Sequence, residues 1–155
     1  VGWCLTAGDV LLMVVDVVLL VLFGTALSSC VNFFLSTDGQ ASAVGTIVSA
    51  GYGFICGAYM PISSFGSGLQ RVLSFFPGTY GTALLRNHCL RGAFNELEAL
   101  RLPGSTLSAL RDGFDCNLSF FGNRVGFGGM YLVLCGSTLL LVGLYIAFHK
   151  LRRQK

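Results

Sequence analysis

Three apolar runs divide the chain, separated by one short polar interval and one long one. The first, residues 10–35, reads VLLMVVDVVLLVLFGTALSSCVNFFL and carries a single charge, Asp16. A helix needs about 20 apolar residues to cross a bilayer, so this run can span with some tilt. The polar turn at 36–40 is brief enough to make the flanking runs an antiparallel helix pair. In the second run, 41–60, Ala41, Gly45, Ser49, Gly53 and Gly57 recur every four residues and form one small-residue stripe. The third run, 130–148, follows Gly129 and repeats the theme at Gly136 and Gly143, every seven residues. Small side chains let helix backbones approach closely, and packing is the main attraction between helices in lipid. Gly45, Ser49, Gly53, Gly57, Gly136 and Gly143 are therefore read as helix-packing positions.

The second run does not continue as a straight helix. Pro61 removes a backbone donor and fixes its own φ, and Gly57, Ser63, Ser64, Gly66 and Gly68 surround it. Leu69, Val72, Leu73 and Phe76 then fall on one helical face, while Gln70, Arg71 and Ser74 fall on others. Such a helix is too short to cross, and Pro77-Gly78 stops it. Irregular backbone at membrane depth survives only where protein or a watery cavity covers it. Residues 62–78 are thus expected to be re-entrant or interfacial.

The long polar interval, 79–127, is expected outside the membrane. Phe94 and Leu97 with Glu96, Glu98 and Arg101 predict a short amphipathic helix ended by Pro103-Gly104. Ser105 would cap a second one carrying Leu107, Leu110 and Phe114, and Asn117-Leu118-Ser119 matches a glycosylation sequon.

Composition supports a membrane protein. Only 11% of the 155 residues are charged and mean hydropathy is +0.73, whereas a soluble domain carries about 25% charged residues. The expected fold is an all-α membrane protein with three transmembrane helices, a short re-entrant helical hairpin and an external helical loop. The chain opens on Val with no basic n-region or cleavage site, so it is expected to be the C-terminal part of a longer protein. The tail at 149–155, HKLRRQK, is basic directly after a run, which predicts a cytoplasmic C-terminus and a cytoplasmic turn at 36–40. The six cysteines show no paired metal spacing; Cys89 and Cys116 could pair if their segment meets an oxidising compartment.

Chemical motifs are sparse. There is no GxxxxGK[ST], HExxH or GxSxG, and no basic patch with interleaved aromatics that would take nucleic acid. His88 and His149 are isolated along the sequence. Asp16 is the one carboxylate inside a run, a position that marks function by default. It serves equally well as a group reaching interfacial water or a neighbouring helix. No catalytic, cofactor-binding or metal-binding residues emerge, and the chain is read as a non-enzyme.

The order of features from Gly53-Phe54-Ile55-Cys56-Gly57 through Met60-Pro61, Leu69-Gln70 and Phe76-Pro77-Gly78-Thr79-Tyr80 to Leu85-Arg86 resembles the permease subunit of ABC type-2 exporters. The upstream FGTALSSCVNFFLSTDGQASAVGTIVSAGYGF is similar to that family's fourth span, inner turn and fifth span. The resemblance covers nearly the whole chain. It implies that the three runs are the last spans of a six-span permease. It also implies an outer gate and re-entrant segment at Gly57, Pro61, Phe65, Leu69, Phe76, Pro77, Tyr80 and Arg86, and an ATPase-facing turn at Thr37, Asp38 and Gln40. Where many members have a proline at the start of the re-entrant helix, this chain has Phe65-Gly66-Ser67-Gly68. The implied partners are an ABC ATPase subunit, which would carry the ATP and Mg, a second permease copy or homologous half, and membrane lipid. The implied location is a bacterial plasma membrane, and the cargo a drug-like molecule, lipid, glycan or peptide. The other reading is a structural or assembly membrane protein that uses the re-entrant segment as an interaction surface.

Overall fold

Thr6 fixes where the first helix begins. In the computed structural model, which describes residues 5–101, 103–120 and 123–153, its hydroxyl accepts from the Asp9 amide while the Asp9 carboxylate accepts from the Thr6 amide. This reciprocal cap satisfies donors that a helix start leaves unpaired, and it starts α1 (Ala7–Asn32) earlier than residue 10. Thr37 does the same for α2 (Asp38–Ile55), its hydroxyl accepting from the Gln40 amide. The polar residues expected as an open turn are thus the cap and first turn of a helix. A 3₁₀ turn (Ile62–Ser64) and a short α3 (Ser67–Leu73) follow. Then come α4 (Pro77–Ala99), α5 (Gly104–Gly113), a two-strand ribbon of β1 (Ser119–Phe120) and β2 (Asn123–Arg124), and α6 (Phe127–Arg153). The ribbon is antiparallel, pairing Ser119 with Arg124 and Phe120 with Asn123.

The described residues are predominantly helical, as the sequence predicts. Two helices, α1 and α6, are long and apolar enough to cross a membrane. Their outward faces expose Leu11, Val18 and Val21 on α1 and Leu132, Leu139 and Ile146 on α6, an apolar surface that water does not favour.

Three sequence-based boundaries need correction. The second run ends as a helix at Ile55 rather than at residue 60, because Gly57 takes a left-handed φ of 73°. Helix α6 runs through the basic tail to Arg153 instead of stopping at 148; residues 154–155 lie outside the described residues. The largest correction concerns 79–127. Pro77 does not release the chain into a loop but occupies the first turn of the 23-residue α4, a position where its missing N–H costs nothing. The helix expected from Ser105, α5, starts at Gly104 with Pro103 as its cap residue, and Ser105 does not cap it.

Helix α4 packs against both α1 and α6, which also pack directly on each other. Its direction is read from side-chain contacts. Gly81 abuts Leu20, His88 meets Asp16 and Arg91 meets Asp9, so α4 runs antiparallel to α1. Tyr131 meets Asp16, the Cys30 thiol donates to the Leu141 carbonyl at 3.3 Å, and Phe33 stacks on Phe148 at 5.7 Å. These contacts make α1 and α6 parallel, and they place the 36–40 turn and the basic end of α6 at the same end of the bundle. The core joins Tyr80, Ala83 and Leu84 of α4 to Leu118 and Met130. By contrast, α2 buries none of its residues. It touches α1 near its C-terminal end, where the Tyr52 ring lies 6.1 Å from Phe23.

The return path from α1 to α6 is therefore split. Helix α2 climbs beside the second half of α1 as far as Phe23, the chain makes its excursion through α3, and α4 continues from the level of Leu20 past Asp9.

Candidate functional site

The break between α2 and α4 is a built joint. Only glycine readily adopts the left-handed backbone at Gly57, and a Cβ there would lie 2.9 Å from Ile62. The amides of Ile62 and Ser63, which open the 3₁₀ turn, donate to the carboxylate of Asp115, with the Ser63 contact at 2.8 Å. Asp115 comes from the loop after α5 and has its own φ at 55°. Arg86 of α4 closes the arrangement: Nη1 donates to Asp115 Oδ2 at 3.0 Å and Nη2 donates to the Gly57 carbonyl. One guanidinium thus ties α4, the end of α2 and the loop after α5 together.

Other α4 side chains take up carbonyls that the broken helices leave unpaired, the groups that most need partners away from water. Thr82 Oγ1 donates to the Cys56 carbonyl at 2.6 Å, Thr79 Oγ1 to Leu73 at 3.0 Å and Tyr80 Oη to Ser74 at 2.7 Å. The Gln70 amide donates to the Phe65 carbonyl at 2.7 Å. The Gly78 amide donates to Tyr52 Oη at 3.3 Å.

Gly57, Pro61, Pro77, Tyr80 and Arg86, expected in the gate, all lie in or beside this joint. Phe76 packs edge-on against Tyr52, at 6.4 Å between rings. Leu69 is exposed with Val72, so the apolar face of α3 buries only Leu73 within this chain. Gly66 caps α3 with an ordinary φ of −62°, and neither Gly66 nor Gly68 has neighbours that would exclude a side chain. The bend before α3 does not depend on them. Sequence reasoning missed Asp115, which sits in a loop with no motif to mark it.

The packing glycines separate into two groups. A Cβ at Gly45, Gly136 or Gly143 would meet nothing, whereas one at Gly53 would run into the Tyr59 ring. Gly45 and Ser49 instead face Gly24, Ser28 and Asn32 across a cavity of about 500 Å³ between α1 and α2. Gly45→Ala is expected to be neutral or to stabilise by up to about 1 kcal/mol through lost unfolded-state freedom. Gly57→Ala is expected to cost about 1–3 kcal/mol of backbone strain. Thermal unfolding of both variants in the same detergent checks the contrast.

A second cluster lies within the three-helix unit. Asp16 is fully buried and His88 is 7% exposed. Asp16 Oδ2 stands 2.5 Å from His88 Nδ1, and Asp16 Oδ1 accepts from Tyr131 Oη at 2.6 Å. Asp16 thus reaches two neighbouring helices, through His88 on α4 and Tyr131 on α6. Phe127 stacks on the His88 ring at 6.0 Å. Nearby, Arg91 pairs with Asp9 at 3.2 Å, and the more exposed Arg111 pairs with Glu98 at 3.0 Å. His88 looked isolated because its partners lie 72 residues before it on α1 and on α6.

Cys89 and Cys116 are both free thiols. Burial pushes both thiols up, with Asp16 adding to it at Cys89 and Arg86 and Arg111 opposing it at Cys116, so access decides which one reacts: Cys89 is exposed and Cys116 buried. Exposed Cys89 is therefore expected to react with a maleimide at pH 7.5 while Cys116 reacts only after unfolding. Mass spectrometry of labelled peptides reads this directly. Among the described residues no group of three or more His, Cys, Asp or Glu is placed to hold a metal.

No family model, curated protein or solved structure matches the chain.

Proposed function

We propose that this chain is part of a transmembrane permease of an ATP-driven exporter, with α1 and α6 as spans, α2 and α4 together making the crossing between them, and residues 57–76 as a re-entrant segment. The observation that carries the reading is the split return path. Helix α2 stops beside the middle of α1, and α4 resumes the climb there, with Arg86 and Asp115 binding the interruption. Broken helices joined at membrane depth, with their backbone groups satisfied by protein, are how transporters line a path for cargo. The cavity between α1 and α2 mixes apolar Leu27, Val31 and Val48 with Ser28, Asn32 and Ser49, a lining suited to an amphipathic cargo. The turn at 36–40 and the basic end of α6 share one end of the bundle, the end at which an ATPase partner would act. Thr37, Asp38 and Gln40 stand there as a capped helix start.

A structural or assembly role finds support in the exposed apolar residues of α3 and in the unburied α2. Purification separates the two readings. The full-length protein is expected to co-purify with an ATPase whose hydrolysis depends on it, and to support ATP-driven flux in vesicles. Isolation without such a partner, together with no ATP-driven flux, overturns the export reading.

A further inference from the structure

Among the described residues, four of the ion pairs link separate segments of the fold. Three match a carboxylate with arginine: Arg86 with Asp115, Arg91 with Asp9 and Arg111 with Glu98. A guanidinium keeps its charge at any physiological pH. The fourth pair, Asp16 with His88, is the most deeply buried of these, with side chains 0% and 8% exposed, and the carboxylate's partner is an imidazole, charged only when protonated. We infer that Asp16, His88 and Tyr131 form a proton-binding site, and that its occupancy sets how firmly α4 is held against α1 and α6.

The argument is one of charge. With the imidazole doubly protonated, the pair sums to zero and Nδ1–H donates to the carboxylate. With the imidazole neutral, Nδ1–H still donates, but the carboxylate's full negative charge remains in the bundle interior. A lone charge away from water is costly, and hydrogen bonds offset only part of that cost. Tyr131 donates to Oδ1 in both states and holds the carboxylate in position.

Among the described residues, the cations nearest this pair are already engaged. On α1, Asp9 is held by Arg91. On α4, Arg91 is engaged with Asp9 and Arg86 with Asp115, while Cys89 sits beside Met13. On α5, Arg111 is bonded to Glu98 and lies 5.1 Å over the Phe94 ring. Helix α6 offers Tyr131 and Cys135 here, and carries no Asp, Glu, Lys or Arg before Lys150.

The proton has a route. His88 borders a cavity of about 330 Å³ whose walls include Asn87, Arg91, Asn95 and Arg111. This polar space lets the ring exchange its proton with water, and no other bond changes. Because α4 also carries Thr79, Tyr80, Thr82 and Arg86, loosening it reaches the joint at Gly57. The inference does not rest on the export reading.

The test uses full-length protein labelled with ¹⁵N-histidine in lipid nanodiscs. There are two histidines in the sequence given, and His88→Gln identifies the signal of interest. The ¹⁵N shifts of the His88 ring, followed from about pH 5 to pH 9, are expected to show the change from two bound protons to one. Over the same range, hydrogen exchange in residues 77–94, corrected for its intrinsic pH dependence, should quicken at least tenfold in the wild type. In His88→Gln and in the gentler Asp16→Asn that pH dependence should disappear. A ring whose protonation is constant from pH 5 to pH 9 overturns the proposal. So does α4 exchange that ignores the ring's titration in the wild type, a measurement that needs no variant to fold.

Discussion

Arg86→Ala is expected to destabilise the protein by about 3 kcal/mol, the lower end of the cost of removing one partner from a buried ion pair. The lower end applies because the guanidinium is 23% exposed, whereas Asp115 is only 4% exposed. The variant leaves Asp115 with two amide donors and no cation, and it strips the Gly57 carbonyl of its donor. Damage should concentrate at the joint. Limited proteolysis is expected to cut near residues 57–66 while α1 and α6 stay intact. Arg86→Lys should recover only part of the loss, since a single ammonium cannot serve the carboxylate and the carbonyl in the fork geometry of arginine. Combining Arg86→Ala with Asp115→Asn should also recover part, by removing the stranded charge. Denaturation in detergent measures all three, and an Arg86→Ala midpoint matching the wild type would mean that the joint is held by other contacts.

The second large effect is expected at Leu84. Its side chain is fully buried where α4 meets Met130 of α6 and Leu118 from the loop before the ribbon. Leu84→Ala should cost about 2–5 kcal/mol, combining lost contacts with the cavity left behind. Leu84→Met, which nearly conserves volume, should cost under about 1.5 kcal/mol. Leu139→Ala supplies the contrast, because Leu139 is 72% exposed on α6. If Leu84→Ala and Leu139→Ala unfold alike, α4 is not packed as described.

What the sequence revealed and what it concealed follow from range. The apolar runs behind α1 and α6 are long and nearly free of charge, and that local property predicted both helices. The interruption at Gly57 and Pro61 was equally local. Helix α4 was concealed because its buried face mixes Tyr80 and Leu84 with His88, a polar residue where a core position was expected to be apolar. Pro77 added to this, having been read as a stop when it equally marks a helix's first turn. The Gly45 stripe was visible, but periodicity cannot say what a face looks onto, and here it looks onto a cavity. Asp16 was conspicuous as a carboxylate within a run. Its partners, like the engagement of Asp115 with Ile62, Ser63 and Arg86, depend on residues brought together from distant segments, which no spacing rule encodes.

The remoteness of those partners has a consequence for how the protein is made. Asp16 emerges from the ribosome before both partners, with His88 72 residues later and Tyr131 115 residues later. At typical elongation rates Asp16 therefore waits on the order of 10 s for its last partner. During that interval α1 carries an incompletely matched carboxylate, which weakens its hold in any apolar surroundings. A chain truncated before Tyr131 would leave the Asp16 carboxylate of α1 with His88 and without its second partner.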